Sequence, residues 1–207
     1  ATPRATVQLE VTARDDLGLT GVHLVIREIN APESTERRVR LHEEYAGDGL
    51  LLIDHSWRLD RDELVAGMEF DFHVEAGDAC DLDTPRVARS TTRTLTIVTP
   101  TAKRDQLDAG QRVILKSLGR ILARQRTART HITLLEVQWR AVGRLRADER
   151  EILLATEIHQ QQFAAQLADV ETGLARRARQ LIAERFANRI DDPAATRDLD
   201  RIATDLE

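Results

Sequence analysis

Two hydrophobic periods divide the chain. Up to Thr99 apolar and polar positions alternate: Val7, Leu9, Val11 and Ala13 interleave with Thr6, Gln8, Glu10 and Thr12. A period of two puts one face of a strand on a core and the other in water. The pattern recurs at Val22, Leu24 and Ile26, at Val39 and Leu41, at Ile53, Trp57 and Leu59, at Met68, Phe70, Phe72, Val74 and Ala76, and at Leu95 and Ile97. The connections "DDLGLTG", "NAPEST", "AGDG", "LVAGM" and "GDACDLDTP" are rich in turn formers, whose side chains or backbone freedom close tight turns. Roughly six or seven short strands with no helical stretch between them predict an antiparallel β-sandwich over residues 1–99.

After Pro100 the period changes, and the next proline is Pro193. Ile114, Leu118, Ile121, Gln125, Ala128, Ile132, Leu135, Trp139 and Val142 follow at steps of four and three, a heptad seam with one polar member. Gly143 and the polar "RLRADERE" interrupt it, and a second series runs through Phe163, Leu167, Val170, Leu174, Ala178 and Leu181. The pattern predicts a long antiparallel helical hairpin with arms at about 102–143 and 148–190, the second ended by Pro193, then a short helix at 195–206. The competing arrangement is two shorter helices with a break, packed as a compact bundle. Asp108 with Arg112, and Glu136 with Arg140, stand four apart with the acid first, the favourable order on a helix.

Charge separates the same two halves. Residues 1–100 hold 19 carboxylates and 11 arginines, a balance of −8; residues 101–207 hold 16 carboxylates against 17 arginines and two lysines, a balance of +3. The net charge of −5 argues against a general nucleic-acid binder, whose domains carry a positive excess. Cys80 is the single cysteine, so an internal disulfide and a cysteine-rich zinc site are excluded. No apolar run reaches the length of a membrane-spanning helix. The chain opens on Ala1, without a basic or apolar leader, so a native start upstream is expected, with room there for a membrane anchor.

Two aspartate loops hold the candidate chemistry. "Ala13-Arg14-Asp15" and "Ala76-Gly77-Asp78" end two strands with the same step. If those strands lead into the loops at one end of a sandwich, Asp15, Asp16, Asp78, Asp81 and Asp83 gather there. Calcium takes six to eight oxygens, which several loop carboxylates and carbonyls can supply. The spacing matches no EF-hand loop. Against calcium stands the turn itself, since aspartates close turns through nearby backbone N–H groups and Gly18 supplies a permissive backbone. Catalysis by a carboxylate pair would require a walled pocket and one acid with a raised pKa, which the loops do not predict. Neither a nucleophile elbow, a phosphate-cradling glycine loop nor a His-x-x-x-His pair occurs.

The remaining candidates have simple structural readings beside the functional ones. His23 and His73 fall on an outward sheet face with Glu75, Asp71 and Arg27, where cross-strand pairing of Arg27 with Asp71 is expected before any metal. Trp57 and Trp139 lie in phase with core positions, and aromatic residues make up 3% of the chain, so a sugar-binding strip of rings is not predicted. Gln125, the polar seam residue, is a candidate for fixing helix pairing. Arginines at 124, 126 and 129, and at 176, 177 and 179, form either solvated helix faces or contacts to phosphates or anionic lipid.

The stretches "VTARDDLGLTGVHLVIRE", "WRLDRDELVAGMEFDFHVEAGDAC" and "STTRTLTIVTP" resemble bacterial immunoglobulin-like domains over roughly residues 5–99. For the rest, the order of domains resembles large uncharacterised bacterial envelope proteins that place such a domain before long coiled-coil regions. Unlike antibody domains, this chain has no cysteine pair, and its Trp57 lies on a later strand. The resemblance implies an immunoglobulin-like sandwich followed by the helical hairpin, in an extracytoplasmic, non-enzymatic scaffold. A protein partner or self-association, through the helices or a sheet edge, is then expected. The alternatives are a calcium-dependent adhesion module and, behind it, a hydrolase using the loop carboxylates.

Overall fold

A computed structural model describes residues 1–16, 18–30, 36–44, 46, 49–61, 63–78, 86–169 and 172–206, with Arg61, Gln166 and Ala168 through their backbone alone. The fold is mixed, with antiparallel, unclosed β-sheets followed by helices. Two compact units divide it: Ala1–Lys103 with Ala187–Ile190, and Arg104–Phe186 with Asp191–Glu207. Among the described residues no helix is long and apolar enough to cross a membrane.

In the first unit, β1 (Thr6–Arg14) pairs with β4 (Leu50–Arg58) in a two-stranded sheet. The second sheet runs β3 (Glu36–His42), β2 (Leu19–Glu28), β5 (Glu69–Asp78), with β6 (Val87–Arg89) and β7 (Arg93–Thr96) both along the far edge of β5. The alternation seen in the sequence sets the faces. Leu24, Ile26, Phe70 and Phe72 from one sheet and Trp57 from the other are buried in a single cluster with Leu59 and Ile97. The Trp57 and Phe72 rings meet edge to face, centroids 5.7 Å apart, an arrangement the ring quadrupoles favour. Burial of each such side chain stabilises by about 1.5–3 kcal/mol. Near Asp15 the chain needs glycine: Gly49 has φ +67°, and a Cβ there would collide with the Asp15 carbonyl oxygen. The Ala187–Ile190 segment of this unit is held by Asn188, which accepts the Thr2 N–H and, through its carbonyl, the Thr2 hydroxyl, both at 2.9 Å. Arg189 adds an ion pair to Asp60 at 2.9 Å.

The second unit contains nearly all of α1 (Pro100–Val142), with α2 (Ala147–Ala168), α3 (Leu174–Ala187) and α4 (Pro193–Asp205). The Thr99 hydroxyl caps α1 by accepting the Ala102 N–H at 3.1 Å, and Pro100 at the first helical position surrenders an N–H with no partner to lose. Gly143, at φ +73°, ends it. The Glu149 carboxylate accepts the Arg146 N–H at 2.6 Å to open α2. Asp192 caps α4 just before Pro193, accepting the Ala195 N–H at 3.0 Å. Gln125 of α1 and Gln160 of α2 exchange two hydrogen bonds, 2.7 and 2.9 Å, so the polar seam residue meets an identical one. Ile121, Phe163 and Leu174 form one buried cluster, and Ile114, Ala178, Leu199 and Ala203 another.

Two expectations for this half fail. The return arm is broken between α2 and α3, where the Asp169 carboxylate accepts the Thr172 N–H and hydroxyl at 2.6 and 2.9 Å. Such local bonds compete with the helical ladder. Gly173 fits the break because a Cβ there would stand 2.5 Å from the Asp169 carbonyl oxygen. Trp139, assigned to the seam, is 53% exposed, with Ile132 and Val142 exposed beside it. A straight helix drifts about 20° per heptad against a strict seven-residue repeat. Trp139 also lies one turn before Gly143, where α2 has not yet begun.

Candidate functional site

Among the described residues the side of β1 away from β4 pairs with no strand, and it borders a cleft. Asp15 donates its N–H to Gly49 and Leu59 donates to Ala5, each at 2.9 Å. Antiparallel pairs alternate between bonded and non-bonded residues, so the odd-numbered residues of β1 bond to β4. The N–H and C=O groups of Thr6, Gln8, Glu10, Thr12 and Arg14 therefore point away from that partner. Along this side runs a cleft of about 810 Å³, bordered by Gln8–Asp16, by Phe72, Val74 and Ala76 of β5, and by Arg86, Arg89 and Arg93. An edge of this kind is a template for a further strand.

The structure places Asp15, Asp16 and Asp78 on the border of the same cleft. Asp78 does turn work: its N–H donates to the Arg86 carbonyl at 3.1 Å, and its carboxylate accepts the Arg86 N–H at 3.2 Å. The Thr20 hydroxyl donates to its carbonyl at 3.0 Å. Asp81 and Asp83 lie outside the described residues. Among the described residues no group of three or more histidines, cysteines and carboxylates is arranged to hold a metal ion.

A charged cluster covers the outer face of the larger sheet. β2 and β5 pair with Arg27 opposite Asp71 and His23 opposite Glu75, and Arg27 reaches Asp71 at 3.7 Å, the pairing read from the sequence. Glu75 is 5% exposed. Its carboxylate receives Arg38 of β3 at 3.0 Å, Arg89 of β6 at 2.9 Å and the His73 ring at 3.3 Å. Burial alone pushes the Glu75 carboxyl up, but the His73 contact and the two guanidinium groups outweigh it and hold the group below its ordinary value. It is thus a fixed anion and a poor general acid. Arg38 and Arg89 escaped sequence reasoning because the registers of β3 and β6 on the sheet are set by loops without a readable length signal.

The helical unit buries a charge of the opposite sign. Arg185 of α3 is 1% exposed and donates to Asp108 of α1 at 2.7 Å and to Gln111 at 3.3 Å, with Asp192 3.6 Å away. Its Nε and Nη1 have no hydrogen-bond partner among the described residues. Asp108, expected to pair with Arg112, is taken instead by Arg185, since a guanidinium shut away from water gains more from a carboxylate than a solvated one. The other expected helix pair, Glu136 with Arg140, forms.

Compared with protein-family models, with curated proteins and with solved structures, the chain has no significant match.

Proposed function

We propose that this chain is a non-enzymatic structural and protein-interaction segment of a larger bacterial envelope protein, working outside the cytoplasm. On this reading the first unit is an immunoglobulin-like sandwich that docks a partner, and the second is an antiparallel, coiled-coil-like arm that spaces or binds. The observation that carries the proposal is the side of β1 away from β4, which pairs with no strand among the described residues, beside its cleft. A two-stranded sheet is marginal by itself, and an extended partner segment would complete it by strand addition, with main-chain hydrogen bonds supplying affinity and alternate side chains specificity. Apolar side chains exposed on the arm, among them Leu134, Val137, Leu154 and Ile158, offer the surface for helix pairing or self-association.

Selection of extended peptides from a displayed library against the full chain tests the docking role. Gln8→Pro and Thr12→Pro each delete an outward N–H that the β4 ladder does not use, and both should weaken the selected peptides about tenfold while the melting temperature holds. A library that yields no binder, or binders indifferent to both prolines, would sink the reading.

Calcium-dependent adhesion is the second reading, favoured by the position of Asp15, Asp16 and Asp78 at one cleft. Millimolar calcium, the range of extracellular modules, should then raise the melting temperature, and Asp15→Ala with Asp78→Ala should remove the rise. An unchanged melting curve ends it.

A further inference from the structure

We infer that the helical unit carries a binding site for a phosphate-type oxyanion, between the middle of α1 and the start of α3. Arg120 and Arg124, one turn apart on α1, and Arg177, in the first turn of α3, border a cleft of about 380 Å³ with Ser117 and Thr172. Ile121 and Leu174, both buried, line the same cleft. Among the described residues none of the three guanidinium groups has a carboxylate partner. The Asp169 carboxylate, three residues before Thr172, accepts the Thr172 N–H and hydroxyl.

Three like charges facing one space repel one another, and the start of the 14-residue α3 adds the positive end of a helix dipole. An anion of high charge relieves that repulsion. Phosphate suits the site better than a carboxylate, because planar guanidinium forks can bind its several oxygens at once. Arg124 is held in advance: its guanidinium stands 5.9 Å from the centroid of the buried Phe163 ring, a cation–π placement that lowers the entropy lost on binding. The cleft exceeds a bare phosphate ion, and its apolar lining leaves room for an attached organic group. The shared chemistry is a phosphate ester, whether free in solution or on a lipid headgroup.

The test uses the full chain in two arms, one following the melting temperature in inorganic phosphate and in glycerol phosphate against chloride at equal ionic strength. The other follows sedimentation with phosphatidylcholine vesicles with and without phosphatidic acid. Each of Arg120→Gln, Arg124→Gln and Arg177→Gln should weaken binding about tenfold, the loss of a charge-assisted contact. The pair Arg126→Gln and Arg129→Gln, which removes the same kind of charge elsewhere on α1, should leave it nearly unchanged. A response in the first arm identifies a free phosphate ester, and one confined to the vesicles identifies a headgroup; either supports the site. Helix content checks that each single variant folds, and any one folded variant suffices. No response in both arms, or equal loss in the Arg126/Arg129 control, overturns the inference.

Discussion

Each unit contains one tryptophan and, among the described residues, a buried charge with ionic partners, and the two units treat them differently. Trp57 in the β unit is 6% exposed, whereas Trp139 on α1 is 53% exposed. Glu75 is an anion with two arginines and a histidine around it; Arg185 is a cation with Asp108 and Asp192 around it. A sheet gives an interior strand such as β5 neighbours on both sides, so its Glu75 carboxylate collects partners from β3 and β6 whose own side chains reach water. At the helix junction Asp108, Gln111 and Asp192 stand around Arg185, and among the described residues its Nε and Nη1 go without a hydrogen bond. Opposite signs are thus less important than the freedom of the partners left behind.

The largest test of this contrast is Trp57→Ala, which empties the space against Phe72 and should cost about 3–5 kcal/mol in urea unfolding of the β unit. A cost below that of an ordinary surface change would mean the two sheets do not share a core. Arg185→Ala leaves a cavity and takes the cation from Asp108 and Asp192, and should cost about 3–5 kcal/mol, while Arg185→Met, which fills the volume but still leaves both carboxylates without their cation, should recover only the packing part of the loss. If Met is as damaging as Ala, the guanidinium itself and not its burial holds α1, α3 and α4 together.

Glu75→Gln should be milder, about 1–2 kcal/mol, because Arg38 and Arg89 turn to solvent once the charge is gone. Its pH signature has a definite sign. The folded-state carboxyl lies below its ordinary value of 4.5, so its contribution is fully present above that pH and is lost as acid titrates the group through its lower folded value. The Gln variant should lack this part of the acid limb in a stability profile taken from pH 6 down to about 2. Identical acid limbs in both proteins would contradict the depressed carboxyl. Smallest of all, Trp139→Ala should shift stability by about 0.5 kcal/mol or less, and a larger loss would place Trp139 in a contact made by another molecule or copy.

Periodicity alone located the strands other than β6 and the switch to helix at Pro100, because these depend on residues close in sequence. The Arg27–Asp71 pair was legible too, since the alternation of β2 and β5 puts both residues on the face opposite Leu24, Ile26, Phe70 and Phe72. Gln125 stood out as polar on an apolar seam, although its partner did not: Gln160 belongs to a helix whose own seam is weak. The aspartate loops were recognisable as turns, and Asp78 acts as one. Their gathering along one cleft depends on how β1 faces β5, which no spacing encodes.

What this sequence determined by itself is therefore the type and order of its elements, and for most strands the side that turns inward, because backbone propensity and hydrophobic period are local properties. Tertiary structure decided which charges became buried, which tryptophan met a core, and where the return arm broke. Each of those outcomes is a competition between distant groups for a limited interior. Along the chain Arg112 was the candidate for Asp108, and only folding brought Arg185 to it and removed that guanidinium from water.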